Sequence, residues 1–158
     1  MTAQLEGSLL PASDLLSTEG GTLSVPGGLE GAWTLLYFYP KDDTPGCTRQ
    51  ACGYRDHLGE FRDIGARVYG ISLDGLNDHA AFREKYGLNF PLLVDSADGL
   101  CAALGAYREQ EWQGRKYMGL SRDSFLVDPD GKIARVWRSV NPDSTISETL
   151  SEIKKRQG

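Results

Sequence analysis

Long hydrophobic runs, cysteine and histidine are all scarce in this sequence, and each scarcity excludes a class of protein. A membrane-spanning helix needs roughly 18 consecutive apolar residues, whereas the longest clear apolar run, residues 33–39, has only the length of a strand. The chain has 3 cysteines, which is too few, and an odd number, for the disulfide framework of a small secreted protein. Its 2 histidines lack the closely spaced ligand pairs of a structural zinc site.

Positive charge is also in short supply. Lysine and arginine number 17 against 22 aspartates and glutamates, giving a net charge of −5. Proteins that bind nucleic acids usually carry a basic stripe, and anionic membranes attract basic surfaces. Residues 1–6 show neither the basic nor the apolar part of a signal peptide. We therefore expect a cytoplasmic protein with no nucleic-acid partner and no membrane association.

The chain does have the composition of an ordinary globular protein. It has 158 residues, of which 40% are hydrophobic and 25% are charged. That length suits one folded domain, and the sequence contains no repeat, linker or low-complexity segment. We therefore expect residues 1–158 to form a single domain.

Strand and helix patterns alternate along the chain. The apolar run 33–39 predicts a central strand buried on both faces, and a helix is predicted from Pro45 to near Gly65. The other predicted elements are a short strand or hairpin lead-in around 22–25, strands at 67–73 and 90–95, helices at 77–86 and 99–104, a hairpin of 124–127 with 132–138, and a C-terminal helix around 146–153. This order predicts a mixed sheet with helices on both faces.

Cys47 follows a helix-start signal. Thr44 suits the N-cap and Pro45 the first helical position, which places Cys47 in the first turn. There the positive end of the helix dipole and the unpaired backbone N–H groups favour a thiolate over a thiol. The sequence therefore predicts that Cys47 is reactive, against the alternative of a buried structural cysteine.

Cys52 lies five residues after Cys47 in the same predicted helix. In an ideal helix this spacing separates the two Cα atoms by roughly 8.6 Å, which exceeds the reach of about 7 Å that a disulfide allows. The two cysteines can therefore bond only if the first turns of the helix unwind. Cys52 also lies off the apolar stripe of the helix, so we expect it to be nearer solvent than Cys47.

The segment from Pro40 to Asp56, PKDDTPGCTRQACGYRD, resembles the active-site segment of peroxiredoxins, and more narrowly that of the peroxiredoxin Q group, also called bacterioferritin comigratory protein. The general pattern Pro-x-x-x-Thr-x-x-Cys is met by Pro40, Thr44 and Cys47. The resemblance continues through residues 69–72, 82–87, 90–93 and 121–133, and covers roughly residues 30–157. It implies a thioredoxin-like α/β fold, with a central mixed β-sheet flanked by helices.

The resemblance also implies a role for each matching residue. Cys47 would be the peroxidatic nucleophile and Cys52 the resolving cysteine. Thr44 would hydrogen-bond the sulfur and the peroxide, and Pro40 would shield the pocket. Arg122 would stabilise the thiolate and the charge that develops on the peroxide oxygens.

The implied activity is a thiol-dependent peroxidase. Its substrates would be hydrogen peroxide and alkyl hydroperoxides, which would leave a sulfenic acid on Cys47 that Cys52 converts to an intramolecular disulfide. Thioredoxin or a glutaredoxin-like dithiol would reduce that disulfide. The resemblance implies a monomer and no metal or other cofactor. A redox-responsive binding protein or holdase and a metal-binding module remain as alternatives.

The sequence departs from the family pattern in two places. Gln50 stands where relatives usually carry glutamate, and residues 9–16 match the family's usual entry segment only loosely. Cys101 has small apolar neighbours, so we expect it in the core, with a second resolving thiol as the alternative. We expect His57 and His79 to be ordinary surface residues.

Overall fold

A seven-stranded mixed sheet forms the centre of the protein, which is described here by a computed structural model of residues 5–157. The strands of the chain are β1 (Ser13–Ser17), β2 (Thr22–Val25), β3 (Trp33–Phe38), β4 (Ala66–Ser72), β5 (Leu92–Val94), β6 (Tyr107–Trp112), β7 (Arg115–Leu120), β8 (Ser124–Val127) and β9 (Ile133–Trp137). The helices are α1 (Pro45–Asp63), α2 (Leu76–Tyr86), α3 (Leu100–Ala103) and α4 (Thr145–Gln157). The strand order in the large sheet is β2-β1-β5-β4-β3-β8-β9, and β6 and β7 form a separate two-stranded sheet.

Strand β3 lies inside the sheet, as its unbroken apolar sequence predicts. It pairs in parallel with β4 and antiparallel with β8. Because successive side chains of a strand point to opposite faces, Leu35 and Tyr37 join the core under α1, α2 and α4, while Leu36 and Phe38 join the core that contains α3. The predicted mixed sheet with helices on both faces is confirmed.

Helix α1 begins where the sequence predicts. Pro45 is its first residue, and the helix ends at Asp63, shortly before Gly65, which has a φ of +72°. Helix α2 ends at Tyr86 and is capped by Gly87, whose left-handed φ of +60° is easily adopted by glycine. One face of α1 is buried against the sheet, and the first turn of the helix starts just beyond the carboxyl end of β3.

The prediction gave no bounds for strand β1, although it allowed a hairpin around 22–25, and it did not include the hairpin β6–β7. Strand β1 pairs with the predicted β2, and the hairpin β6–β7 fills residues 107–120. The hairpin was missed because most of its residues are exposed and its charged and apolar side chains are mixed along both strands, so the sequence shows no apolar alternation. Its turn uses Gln113 and Gly114, both with positive φ, as a two-residue hairpin turn requires.

Within residues 5–157, none of the helices combines the length and the apolar character that crossing a membrane requires.

Candidate active site

Cys47 is the third residue of α1, which the chain reaches from β3 through residues 39–44. Thr44 occupies the N-cap position with extended backbone angles (φ −103°, ψ 155°). The Cys47 side chain is buried, with 1% of its surface exposed. The predicted position in the first helical turn is therefore confirmed, and the backbone there favours negative charge on the sulfur.

Arg122 supplies a positive charge to this sulfur. Its Nη1 lies 3.5 Å from Cys47 Sγ and donates a hydrogen bond to Gln50 Oε1 at 2.8 Å. A Cβ at position 46 would lie 3.0 Å from Arg122 Nη2, so Gly46 lets the guanidinium lie against the first turn of the helix. The structure thus brings together Cys47 and Arg122, which are 75 residues apart in sequence.

Gln50 holds the arginine in this place. It is fully buried on α1, three residues after Cys47 and hence on the same helix face. Its Oε1 accepts from Arg122, while its Nε2 has no hydrogen-bond partner among the residues that the structure describes. The sequence marks Gln50 as a departure from the family pattern but does not predict that it orients Arg122.

The loop that carries Arg122 is fixed by its neighbour Asp123. This aspartate is fully buried and accepts hydrogen bonds from Arg108, from Arg138 and from the Ser139 amide. Burial alone would raise the pKa of Asp123, but Arg108, the Ser139 amide and Arg138 outweigh that effect and lower it from its ordinary value. The carboxylate therefore stays charged and connects the loop of Arg122 to strand β6 and to the segment that follows β9.

Thr44 and Pro40 lie on the chain segment just before Cys47. The Thr44 hydroxyl donates to the Lys41 carbonyl at 2.8 Å and does not cap the helix with its side chain. Its oxygen keeps lone pairs that can accept a hydrogen bond. Pro40 is exposed, directly after Tyr39, so a shielding role for Pro40 would have to be exerted from the rim of the site.

Cys52 lies on the second turn of α1 and is partly exposed, in contrast to Cys47. Both are free thiols, and the intact helix keeps them too far apart to bond. Helix α4 packs against this part of α1. The Tyr54 and Thr149 hydroxyls lie 3.1 Å apart, and Gly53 faces Ile146. Unwinding α1 far enough to join the two sulfurs would loosen these contacts.

Cys101 is a core residue, as predicted. Its side chain is fully buried, and its thiol donates to the Ser96 carbonyl. Burial, together with the nearby Asp95 carboxylate, raises the pKa of Cys101 to about 12. Cys101 is therefore a protonated, unreactive thiol at neutral pH.

The prediction for the two histidines is right for one and wrong for the other. His57 is exposed on α1 and pairs with Glu60. His79 is fully buried, because α2 turns this side chain together with Phe82 towards the sheet. Its Nδ1 lies 2.6 Å from Asp42 Oδ2, and its Nε2 lies 2.8 Å from the Leu93 carbonyl oxygen.

Asp42, Asp74 and His79 are close enough together to be considered as metal ligands. Their ligating atoms are already used within the protein. His79 contacts Asp42 directly through Nδ1, and Asp74 Oδ2 accepts from the Asp42 amide and from the Ser72 hydroxyl. A cation would have to displace these hydrogen bonds, so the cluster is better described as a buried hydrogen-bonded network.

The geometry around Cys47 suits nucleophilic attack by a thiolate on a small electrophile. The helix start and Arg122 stabilise the anion of the sulfur. The same guanidinium can stabilise negative charge that develops on a substrate oxygen. A second thiol, that of Cys52, lies on the same helix.

The sequence and the fold both match known proteins. Residues 7–136 match the model of the AhpC/TSA family. The chain is 36% identical to Peroxiredoxin Bcp of Bacillus subtilis (strain 168) over 154 residues, which cover 98% of this chain and 97% of the relative. It is 41% identical to Peroxiredoxin Bcp of Escherichia coli (strain K12) over 131 residues, or 83% of each chain.

Two solved structures give the same picture. The bacterioferritin comigratory protein of Xanthomonas campestris, whose alkyl peroxide reduction activity its structures address, superposes with a TM-score of 0.86 at 32% identity over 92% of both chains. A peroxiredoxin Q mutant of Xylella fastidiosa gives a TM-score of 0.87 at 32% identity, over 100% of this chain and 96% of that one.

Proposed function

The chain belongs to the AhpC/TSA family and, within it, to the Bcp and Q peroxiredoxins, so it is a thiol peroxidase of thioredoxin-like fold, and we propose that Cys47 is its peroxidatic nucleophile and Cys52 its resolving thiol. The observation that carries this proposal is the contact between Arg122 Nη1 and Cys47 Sγ at the start of α1. A cation and a helix N-terminus meet there at a single sulfur, and both favour its thiolate.

In the first step, the Cys47 thiolate attacks the terminal oxygen of hydrogen peroxide or an alkyl hydroperoxide. The S–O bond forms as the O–O bond breaks, and the proton of the attacked O–H group moves to the leaving oxygen, which departs as water or an alcohol. Cys47 is left as a sulfenate, which takes a proton from solvent to become the sulfenic acid. Arg122 stabilises the negative charge on the leaving oxygen. The Thr44 oxygen, whose own proton is directed to Lys41, accepts the hydrogen bond of the peroxide O–H group.

In the second step, the first turns of α1 unwind and the Cys52 sulfur attacks the Cys47 sulfenic acid. A disulfide forms and water is released. Because both cysteines lie on one helix, this step needs no second subunit, and we propose that the protein works as a monomer. Thioredoxin or a glutaredoxin-like dithiol then reduces the disulfide by thiol exchange at the partly exposed Cys52 side.

Mass spectrometry and turnover of three cysteine variants test these assignments. After one equivalent of peroxide, the wild-type protein should lose two hydrogens, while Cys52→Ser should gain one oxygen and Cys47→Ser should stay unchanged. Cys47→Ser should also lose peroxide turnover in the presence of thioredoxin. Cys101→Ser is the matched control and should behave as the wild type.

Two results would contradict the proposal. Retention of most peroxidase activity by Cys47→Ser would show that another group is the nucleophile. A disulfide between Cys47 and Cys101 in the oxidised wild type would remove the resolving role from Cys52.

A further inference from the structure

The segment 41–44, between β3 and the start of α1, is held almost entirely by polar groups of α2 and of the loop before it. Asp43 accepts hydrogen bonds from Lys85 and from the Tyr86 hydroxyl, at 2.8 and 2.6 Å. The Asp42 amide donates to Asp74 at 2.8 Å. Asp43 also has a φ of +58°, a left-handed conformation that costs a non-glycine residue free energy. The segment therefore depends on these contacts to keep its shape.

His79 makes the most buried contact to this segment, through the carboxylate of Asp42. Its Nε2 faces the Leu93 carbonyl, and because a carbonyl can only accept, Nε2 must carry a proton. Its Nδ1 faces a carboxylate oxygen of Asp42. The other oxygen of this carboxylate accepts the Tyr39 hydroxyl at 2.6 Å, so Asp42 faces a possible donor at each of its two oxygens. The proton between His79 and Asp42 therefore belongs on the ring.

We propose that His79 is an imidazolium ion whose ion pair with Asp42 fixes segment 41–44, and that it is thereby a positioning residue for the reaction of Cys47 with peroxide. This proposal rests on the proposed function. The segment connects directly to the catalytic helix: its Lys41 carbonyl orients the Thr44 hydroxyl, and Thr44 is the N-cap of α1. Loss of the ion pair would leave the start of the helix, and with it Cys47, free to shift.

The groups around His79 define its pH dependence. Burial lowers the pKa of His79, but the hydrogen bond and charge of Asp42, the Leu93 carbonyl and the charge of Asp74 outweigh burial, so the pKa is raised above its ordinary value. The ring of Tyr39 lies 6.3 Å from the imidazole. Burial raises the pKa of Tyr39, so this side chain stays neutral at the pH values at which His79 titrates. The ion pair is therefore complete below about pH 6.5 and is lost as the pH rises through the folded-state pKa of His79.

Nuclear magnetic resonance of the wild-type protein tests the protonation state directly. Two-bond proton–nitrogen spectra at pH 7 should show that both ring nitrogens of His79 carry a proton. A His79 ring with one unprotonated nitrogen at pH 7 would overturn the proposal, and this readout needs no variant and no peroxidase assay.

Kinetics of two variants test the positioning role. His79→Ala should lower the rate constant for peroxide oxidation of Cys47 by about 10- to 100-fold, as expected for a displaced nucleophile, without slowing the later formation of the disulfide. His79→Asn, whose amide can still donate to Asp42, should recover part of this loss. The wild-type oxidation rate should fall on the alkaline side as His79 deprotonates, and His79→Asn should lack that fall. His57→Gln is the matched control.

The proposal fails if folded His79 variants oxidise Cys47 at the wild-type rate with the wild-type pH profile. Circular dichroism at pH 7 establishes that each variant is folded. If Cys47→Ser kept its peroxidase activity, the proposed function would fail instead, and the nuclear magnetic resonance result would still decide whether His79 is charged.

Discussion

At the scale of single residues, the partner of Arg122 decides how much positive charge reaches the Cys47 sulfur. Arg122 donates to Gln50, a neutral amide, at 2.8 Å. An amide oxygen orients the guanidinium without neutralising it, whereas a carboxylate at the same place would form a buried ion pair with it. Gln50 therefore leaves the arginine's charge available to the thiolate and to the peroxide.

Gln50→Glu should weaken this effect. A carboxylate beside Arg122 and only three residues from Cys47 would disfavour the thiolate, so we expect Cys47 to be alkylated by iodoacetamide more slowly at pH 7. The rate of peroxide oxidation at pH 7 should fall by about 10-fold. Gln113→Glu, which adds the same charge at the exposed hairpin turn, is the control. An unchanged alkylation rate in Gln50→Glu would show that Gln50 does not tune the arginine.

The sequence predicted the position of Cys47 in the first helical turn but not the residues that surround its side chain. Cys47 is predictable because the helix start is local: Thr44, Pro45 and Cys47 lie within four residues. The contact of Arg122 with Gln50 joins positions 72 residues apart, and only the fold reveals it. For His79 a local signal existed, since Phe82 and Tyr86 follow at spacings of three and four on the same helix face. A polar residue on such an apolar helix face is buried when the fold supplies hydrogen-bond partners for it.

At the scale of elements, α1 and α4 pack closely because Gly53 has no side chain. A Cβ at position 53 would lie 2.7 Å from Ile146 Cδ1 and 3.0 Å from its Cγ1. Glycine inside a helix costs about 0.5–1 kcal/mol relative to alanine. The close approach of α4 explains why glycine suits this position of α1.

Gly53→Ala should therefore destabilise the protein even though alanine favours helix. The added methyl group overpacks against Ile146, which typically costs 1–3 kcal/mol and outweighs the gain in helix propensity. Gly59→Ala, on the exposed side of the same helix with nothing within 4 Å of the new Cβ, should instead gain about 0.5–1 kcal/mol. Urea unfolding measures both differences.

A double variant separates packing from other effects of Gly53→Ala. Ile146→Val removes the Cδ1 atom that the new methyl group meets, so Gly53→Ala should cost less in the Ile146→Val background than alone. If the effects of the two changes on the free energy of unfolding were additive, Gly53→Ala would destabilise the protein for a reason other than contact with Ile146.

The elements themselves differed in how well the sequence revealed them. Strand β3 was predictable because burial on both faces leaves an unbroken apolar run. Helix α1 was predictable because burial on one face leaves apolar residues at spacings of three and four. The hairpin β6–β7 was not, since Trp112, Tyr117 and Met118 are all exposed and its strands carry as many charged as apolar side chains. Its pairing is set by the turn and by backbone hydrogen bonds, which the side-chain pattern does not encode.

At the scale of the whole molecule, two buried ionic clusters flank the site. Their contributions to the stability of the fold change with pH in opposite directions. The ion pair of His79 with Asp42 holds the segment before α1, and its contribution to stability is lost as the pH rises. The cluster of Asp123 with Arg108 and Arg138 holds the loop of Arg122. Because the pKa of Asp123 is lowered, this contribution is present above about pH 3.9 and is lost as the pH falls through the folded-state pKa.

Asp123→Asn tests the second cluster. The change removes the charge that two arginines face in a fully buried position, and breaking a buried ion pair in this way typically costs about 3–5 kcal/mol. We expect a loss of this order in the free energy of unfolding at pH 7, measured in urea. The difference from the wild type should shrink as the pH falls below 4, because acid neutralises Asp123 in the wild type as well.

The exposed Asp130→Asn is the matched control, and its free energy of unfolding should stay within about 0.5 kcal/mol of the wild type at each pH. A difference between Asp123→Asn and the wild type that stayed constant from pH 7 to pH 3 would show that the loss comes from altered packing and not from charge. Peroxide oxidation of Cys47 should slow in folded Asp123→Asn as well, because Arg122 lies on the loop that Asp123 connects to Arg108, Arg138 and Ser139. The same substitution therefore links the stability of the protein to the position of Arg122, whose charge acts on the Cys47 sulfur.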